Sequence, residues 1–194
     1  GPILEPDVKE APLRTYFNPD WHYQLQNAKF DELLLSPATF LIIDPDDTEL
    51  NTAQRNELAD SGKKVIAYLS IGEAEDYRSY WESNWKEGIP TFIEEENKDW
   101  EGNFRVQYWR ERWQDIIFNT VDKLMYQGWD GVYLDRVDVY QHFEDEGRDE
   151  AREEMIHFVT NISKRVHGID KTSYVFGQNA EELYEVRLYR KNVD

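Results

Sequence analysis

Two hydrophobic periods alternate along this chain, and no other feature narrows its fold as much. Short apolar runs at 22–25, 40–43, 65–69, 104–108, 132–134 and 174–176 read as strands. Between them, 52–60, 111–127 and 149–167 read as helices that end near Gly62, Gly128 and Gly168, glycines placed where the residue after a helix needs a positive φ. Ile116, Val121, Leu124 and Met125 fall on one apolar helix face, as do Met155, Phe158, Val159, Ile162 and Val166 on another. Strand and helix in regular exchange are the pattern of βα units around a parallel sheet.

Such units curl with one hand, so they close into a barrel or spread into an open sheet. An open nucleotide-binding sheet has a glycine-rich turn after its first strand, whereas this chain has Gln26-Asn27-Ala28. The expected class is therefore α/β, a (β/α)8 TIM-like barrel truncated after about six βα units, with the stretch 184–194 leading towards a seventh strand. The chain has 194 residues, 40% of them hydrophobic, which suits one domain over 21–194. Pro2, Pro6, Pro12 and Pro19 make 1–20 an irregular lead-in, and Gly1-Pro2 reads as the remnant of a cleaved tag.

In barrels of this kind the loops after the strand C-termini build the active site. The polar residues there are Gln24 and Gln26, Asp44 and Asp46, Ser70 with Glu73 and Glu75, Tyr108 with Arg110, Asp135 with Asp138, and Gln178 with Asn179. Carboxylates and amides dominate, a mixture suited to sugar hydroxyls and amines. Asp135 leads the set because Gly131-Val132-Tyr133-Leu134 is a buried-strand pattern that ends on a carboxylate. Its bland alternative is a helix cap or an acceptor for loop amides, and Asp138 fits capping and function equally. Gly72 lets the backbone bend so that Glu73 or Glu75 turns into the mouth, while both also fit a solvated acidic loop. Asp44 ends Phe40-Leu41-Ile42-Ile43, but Pro45-Asp46-Asp47 beside it is good turn chemistry. Trp81, Trp85, Trp100, Trp109 and Trp113 crowd a long insertion, where they serve either ring stacking on sugars or packing.

Net charge is -18 from Lys+Arg 22 and Asp+Glu 40, a field that repels nucleic acid and anionic membranes and attracts a polycation. Without cysteine there is no disulfide, thiolate zinc site or cysteine nucleophile. His22, His142, His157 and His167 make no ligand spacing, so neither metal nor other cofactor is expected. No apolar run reaches the ~20 residues of a membrane span, and no signal-peptide pattern opens the chain.

Four motifs resemble glycoside hydrolase family 114, the endo-α-1,4-polygalactosaminidase-like proteins. They are Tyr23-Gln24-Leu25-Gln26, the run from Val65 to Arg78 with Ser70-Ile71-Gly72-Glu73-Ala74-Glu75 at its centre, Gly131 to Asp135, and Gln178-Asn179-Ala180-Glu181-Glu182-Leu183. The resemblance implies a barrel that binds polysaccharide at the strand C-termini, hydrolysis of α-1,4-linked galactosamine polymers, and an extracellular or cell-surface location. It matches Asp135 to the catalytic aspartate; by their places around the strand ends, Gln24, Asp44, Ser70, Glu73, Glu75, Tyr108, Asp138 and Asn179 are the candidate substrate-binding residues. The family's second carboxylate, a glutamate on the seventh strand, would follow Asn192-Val193-Asp194, and Gly177 stands where relatives often have proline. A sugar-binding barrel without turnover is the alternative that the residues leave open.

Overall fold

The computed structural model describes residues 21–177 and Val193. Five strands, β1 (Trp21–Gln24), β2 (Phe40–Ile43), β3 (Lys64–Ser70), β7 (Gly131–Asp135) and β8 (Tyr174–Gly177), form one sheet in the order β1-β2-β3-β7-β8. Every pairing in it is parallel, with Ile43 opposite Ala67 and Ser70 opposite Asp135. The helices are α1 (Phe30–Leu35), α2 (Thr52–Asp60), α3 (Glu111–Tyr126), α4 (Val139–Asp145) and α5 (Ala151–Ile169).

Alternation along each strand explains why both faces of the sheet are apolar. Leu41, Ile43, Val65, Ala67, Leu69, Val132, Leu134 and Val175 share one buried cluster with the helices. Their neighbours Ile42, Ile66, Tyr68, Tyr133 and Phe176 form a second, aromatic cluster with Trp21, Phe40 and Tyr174, as the inside of a barrel requires. Trp21, Phe40 and Phe176 meet there with ring centroids 4.8–5.7 Å apart. Outside, α3 packs beside α5, burying Ile117, Val121 and Leu124 from one helix and Phe158, Val159 and Ile162 from the other.

Local signals set the helix ends. Asn51 caps α2 reciprocally: its side chain accepts from the Gln54 N–H and the Gln54 side chain accepts from the Asn51 N–H. Gly62 and Gly128 take φ of 87° and 90°, as expected of residues that follow a helix. Gly168 does not, because α5 runs on through it to Ile169 and ends at Asp170 in extended backbone.

A second correction concerns the run 104–108. Its strand, β6 (Asn103–Val106), lies in a separate antiparallel sheet, order β4-β6-β5, with β4 (Glu73–Glu75) and β5 (Ile93–Glu96). This sheet is an insertion between β3 and α3, held down by buried aromatics. Trp113 is fully buried and its Nε1 donates to the Ile71 carbonyl at 2.9 Å. Trp85 stacks edge-on against Phe92, and Trp81 packs on Phe104. Trp109 lies under the Arg148 guanidinium, while Trp100 is left 64% exposed. Among the described residues the parallel sheet thus has five strands rather than about six, and none of the helices is long and apolar enough to cross a membrane.

Candidate active site at the strand ends

Strand parity carries the inner face of the sheet upward from apolar to polar. Ile42 is followed two residues on by Asp44, Tyr68 by Ser70, and Tyr133 by Asp135, so the aromatic interior ends in a ring of buried polar side chains. Asp135 is 9% exposed. Its Oδ2 accepts from the Tyr68 hydroxyl at 2.5 Å and its Oδ1 from the Arg136 N–H at 2.8 Å. That second bond is the loop-amide contact of the bland reading, and the Tyr68 bond comes in addition to it.

Two tyrosines register the carboxylate. Burial, then Asp135, pushes the Tyr23 hydroxyl up to about 12. The same two causes push Tyr68 far above the ordinary phenol range, with Glu75 adding to them. Tyr68 therefore stays protonated as a donor to Asp135. Sequence reasoning passed over it because a tyrosine in the middle of a strand looks like core; its parity with Ser70 is the signal that marks it.

On one side of Asp135 stands an ion-pair network. Arg78, 10% exposed, donates to both oxygens of Asp44 at 2.7 and 2.8 Å, to Asp46 at 2.9 Å and through Nε to Glu75 at 3.0 Å. Tyr77 also donates to Glu75, and the Glu75 N–H donates to the Tyr80 hydroxyl at 2.8 Å. Burial raises the Glu75 carboxyl above its usual range against the pull of Arg78. A cavity of about 440 Å³ opens beside Tyr68, Ser70, Glu75 and Arg78.

On the other side Glu73 accepts from Arg136 Nη2 at 2.8 Å and from Asn97 Nδ2 at 2.9 Å. This pair borders a cavity of about 510 Å³ shared with Asp138. Asp138 precedes α4 without a side-chain capping bond, so it is not the cap that one reading expected. Burial, with Asp135 adding to it, raises its carboxyl above the usual range despite Arg136. Gly72 lies in the bend between β3 and β4 and also serves close approach: a Cβ there would sit 2.0 Å from the Arg136 carbonyl oxygen.

The structure thus brings Asp44, Ser70, Glu73, Glu75, Asp135 and Asp138 to one end of the sheet. Both glutamates are buried in it, where one or the other was expected. Ser70 Oγ is buried with no hydrogen-bond partner among the described residues, as suits a group that meets a ligand. Tyr108 does not join them. It follows an insertion strand and not a barrel strand, is fully buried, and donates its hydroxyl to the Ala151 carbonyl at 2.6 Å. Gln24 points away as well, since it shares the parity of His22, bonds to that ring at 2.9 Å and donates to the Gln26 carbonyl. Asn179 and Gln178 lie outside the described residues. Glu94, His142 and Glu146 bring ligand-type atoms within 4.8 Å of one another, a grouping invisible to histidine spacing alone. Glu94 is already engaged there by Arg105 and Gln107.

Comparison with known proteins agrees with this architecture. The model of Glycoside-hydrolase family GH114 matches residues 6–191. A protein of Methanocaldococcus jannaschii is 43% identical over 179 residues, covering 88% of this chain and 52% of that protein. One of Thermotoga maritima is 34% identical over 174 residues, covering 86% and 54%. The chain therefore spans about half the length of these curated relatives. Among solved structures, Aspergillus fumigatus Ega3 in complex with galactosamine aligns with a TM-score of 0.71 at 23% identity, over 89% of this chain and 63% of that one. The glycoside hydrolase domain of PelA from Pseudomonas aeruginosa aligns with a TM-score of 0.60 at 18% identity, over 86% and 61%. These likenesses establish the fold as that of TIM-barrel glycoside hydrolases, of which the described sheet is an arc.

Proposed function

Because the chain belongs to glycoside hydrolase family 114, we propose that it acts in the hydrolysis of α-1,4-linked galactosamine-containing polysaccharide, with Asp135 as a catalytic carboxylate. The observation that carries this reading is Asp135 itself, a buried carboxylate at the C-terminal end of an inner barrel strand, held by Tyr68 and a peptide N–H. Glycoside hydrolysis uses two carboxyl groups, one to protonate the leaving oxygen and one to act as nucleophile or to activate water. Asp135, fixed in orientation by two donors, suits the second role. Asp44 and Glu73 each bind an arginine, which ties them to neighbouring segments of the scaffold. In the family the acid is a glutamate on the seventh strand, and a counterpart in the full-length protein, if it has that strand, is the acid candidate of this reading. Galactosamine carries an ammonium at neutral pH, and a net charge of -18 favours its approach; the galactosamine bound to Ega3 supports the same substrate class. An extracellular or cell-surface location belongs to this reading, since polymeric glycans are met there.

A sugar-binding role without turnover is the second reading, supported by the arginine pairing of the other mouth carboxylates. Incubation with de-N-acetylated galactosaminogalactan, followed by measurement of new reducing ends, separates the two. Release of reducing ends that is lost in Asp135→Asn supports hydrolysis, and binding without release supports the second reading.

A further inference from the structure

Three consecutive residues of the bend after β3 hold the end of β7. The Ile71 N–H donates to the Asp135 carbonyl at 3.1 Å, which pins the peptide between Asp135 and Arg136 by its oxygen. The N–H of that same peptide donates to Asp135 Oδ1 at 2.8 Å. Gly72 comes next, packed so closely under the turn that a Cβ there would meet both the Arg136 carbonyl and Val139. Glu73 then accepts from Arg136 Nη2 at 2.8 Å. Residues 71, 72 and 73 thus grip the main chain and the side chain of the turn that orients Asp135.

The turn needs holding. Arg136 takes a left-handed backbone conformation, φ 61°, which residues other than glycine rarely adopt and which persists only where the surroundings over-determine it. Glu73, which is buried, supplies the charge in the grip. Burial works against the Arg136 cation and Glu73 outweighs it, while Asp138 and then Asp135 attract the same cation more weakly. Without the charge on Glu73 the guanidinium would be drawn to those two aspartates, and the turn would follow it out of its strained form. The antiparallel insertion holds the grip from behind. The Val106 N–H donates to the Gly72 carbonyl at 3.1 Å, and Asn97 Nδ2 donates to Glu73 at 2.9 Å.

We propose that Glu73 is a positioning residue, acting through Arg136 to fix the peptide N–H that orients Asp135, with Asn97 steadying it from the insertion. The proposal rests on the reading of Asp135 as a catalytic carboxylate. It ties the insertion to the reaction as well as to the sheet.

Amide hydrogen exchange on Glu73→Gln, run beside steady-state kinetics of reducing-end release from de-N-acetylated galactosaminogalactan, tests it. Glutamine keeps the shape and one acceptor oxygen but lacks the charge. The Arg136 amide should exchange about tenfold faster, while that of Val132, in the middle of the sheet, is unchanged. The kcat should fall about tenfold at unchanged KM, because a misaimed carboxylate costs rate rather than binding. Asn97→Ala removes only the second donor to Glu73, so it should move both readouts in the same direction by about threefold, and it takes over should Glu73→Gln fail to fold. Unaltered Arg136 exchange in both variants overturns the proposal, as does equal loosening at Val132 or a normal kcat beside faster exchange. If the parent releases no reducing ends, the hydrolysis reading falls, and faster Arg136 exchange still upholds the hold of Glu73 on the turn.

Discussion

The parallel sheet and the antiparallel insertion both carry buried carboxylates, and they hold them by opposite means. Asp135 on β7 accepts from a neutral phenol and a peptide N–H. Glu73 and Glu75 on β4 meet the guanidinium groups of Arg136 and Arg78. Neutral donors orient a carboxylate and leave its charge available to a substrate, whereas a guanidinium cancels the charge and fixes two segments together. The sheet therefore presents the reactive group, and the insertion is fastened to the sheet by salt links, with Arg78 joining β4 to the loop after β2. The contrast implies that variants of the first kind alter activity, and variants of the second kind alter stability.

The sharpest test is Asp135→Asn. The amide keeps the size and much of the hydrogen bonding but removes the charge, so turnover should fall by about 10³-fold or more while the melting temperature stays within a few degrees. A reducing-end assay run beside thermal melts measures both. A clear loss of stability with a normal rate would place Asp135 among the fastening carboxylates and end the contrast. Arg78→Ala should do the opposite. It strands Asp44 and Glu75, 11% and 4% exposed in their side chains, without their cation, and should cost about 3 kcal/mol in urea unfolding. If unfolding is unchanged, the insertion is held by Trp85, Trp113 and their neighbours alone.

Tyr68→Phe is a smaller perturbation that probes the link between the regions, because Tyr68 touches Asp135 and feels Glu75. Phenylalanine preserves the aromatic packing and deletes one short charge-assisted hydrogen bond, so the rate should drop about tenfold with the fold intact. Steady-state kinetics on the same polysaccharide measure it. An unchanged rate would show that Arg136 alone orients the carboxylate.

Much of this contrast was legible in the sequence for the sheet and little for the insertion. Apolar runs ending in Asp44, Ser70 and Asp135 announced inner strands, because burial on both faces demands continuous hydrophobicity. Phe104-Arg105-Val106 looks the same over a few residues, yet it pairs antiparallel with β4 and β5, which only tertiary partners decide. Tyr108 was misplaced with it. The family motif around Glu73 and Glu75 marked both residues as important without indicating that arginines hold them. Arg78 lies in that motif, but its reach to Asp44, thirty-four positions earlier, depends on how β4 folds back over the sheet. The left-handed turn at Arg136 had no signal, since glycine or asparagine would be the usual occupant.

The smallest expected effect is on the pH dependence of stability, and Glu75 carries it. Burial raises the folded-state carboxyl of Glu75 above its ordinary 4.5, even with Arg78 pulling it down. Between the unfolded value and that raised value the folded protein holds more protons than the unfolded chain, so this group makes stability fall as pH rises. Its contribution is complete below the unfolded value and is lost as pH passes through the folded one. Glutamine at position 75 cannot titrate, and the stability of the parent relative to Glu75→Gln should therefore decline steadily from pH 4 towards neutrality. Asp130 and Asp138 are raised in the same direction, so the difference between the two proteins is the informative quantity and not either curve alone. Urea unfolding of both across that range supplies it. A difference that grows with pH would mean that Arg78 outweighs burial at Glu75, making the salt link to β4 stronger than the desolvation that opposes it.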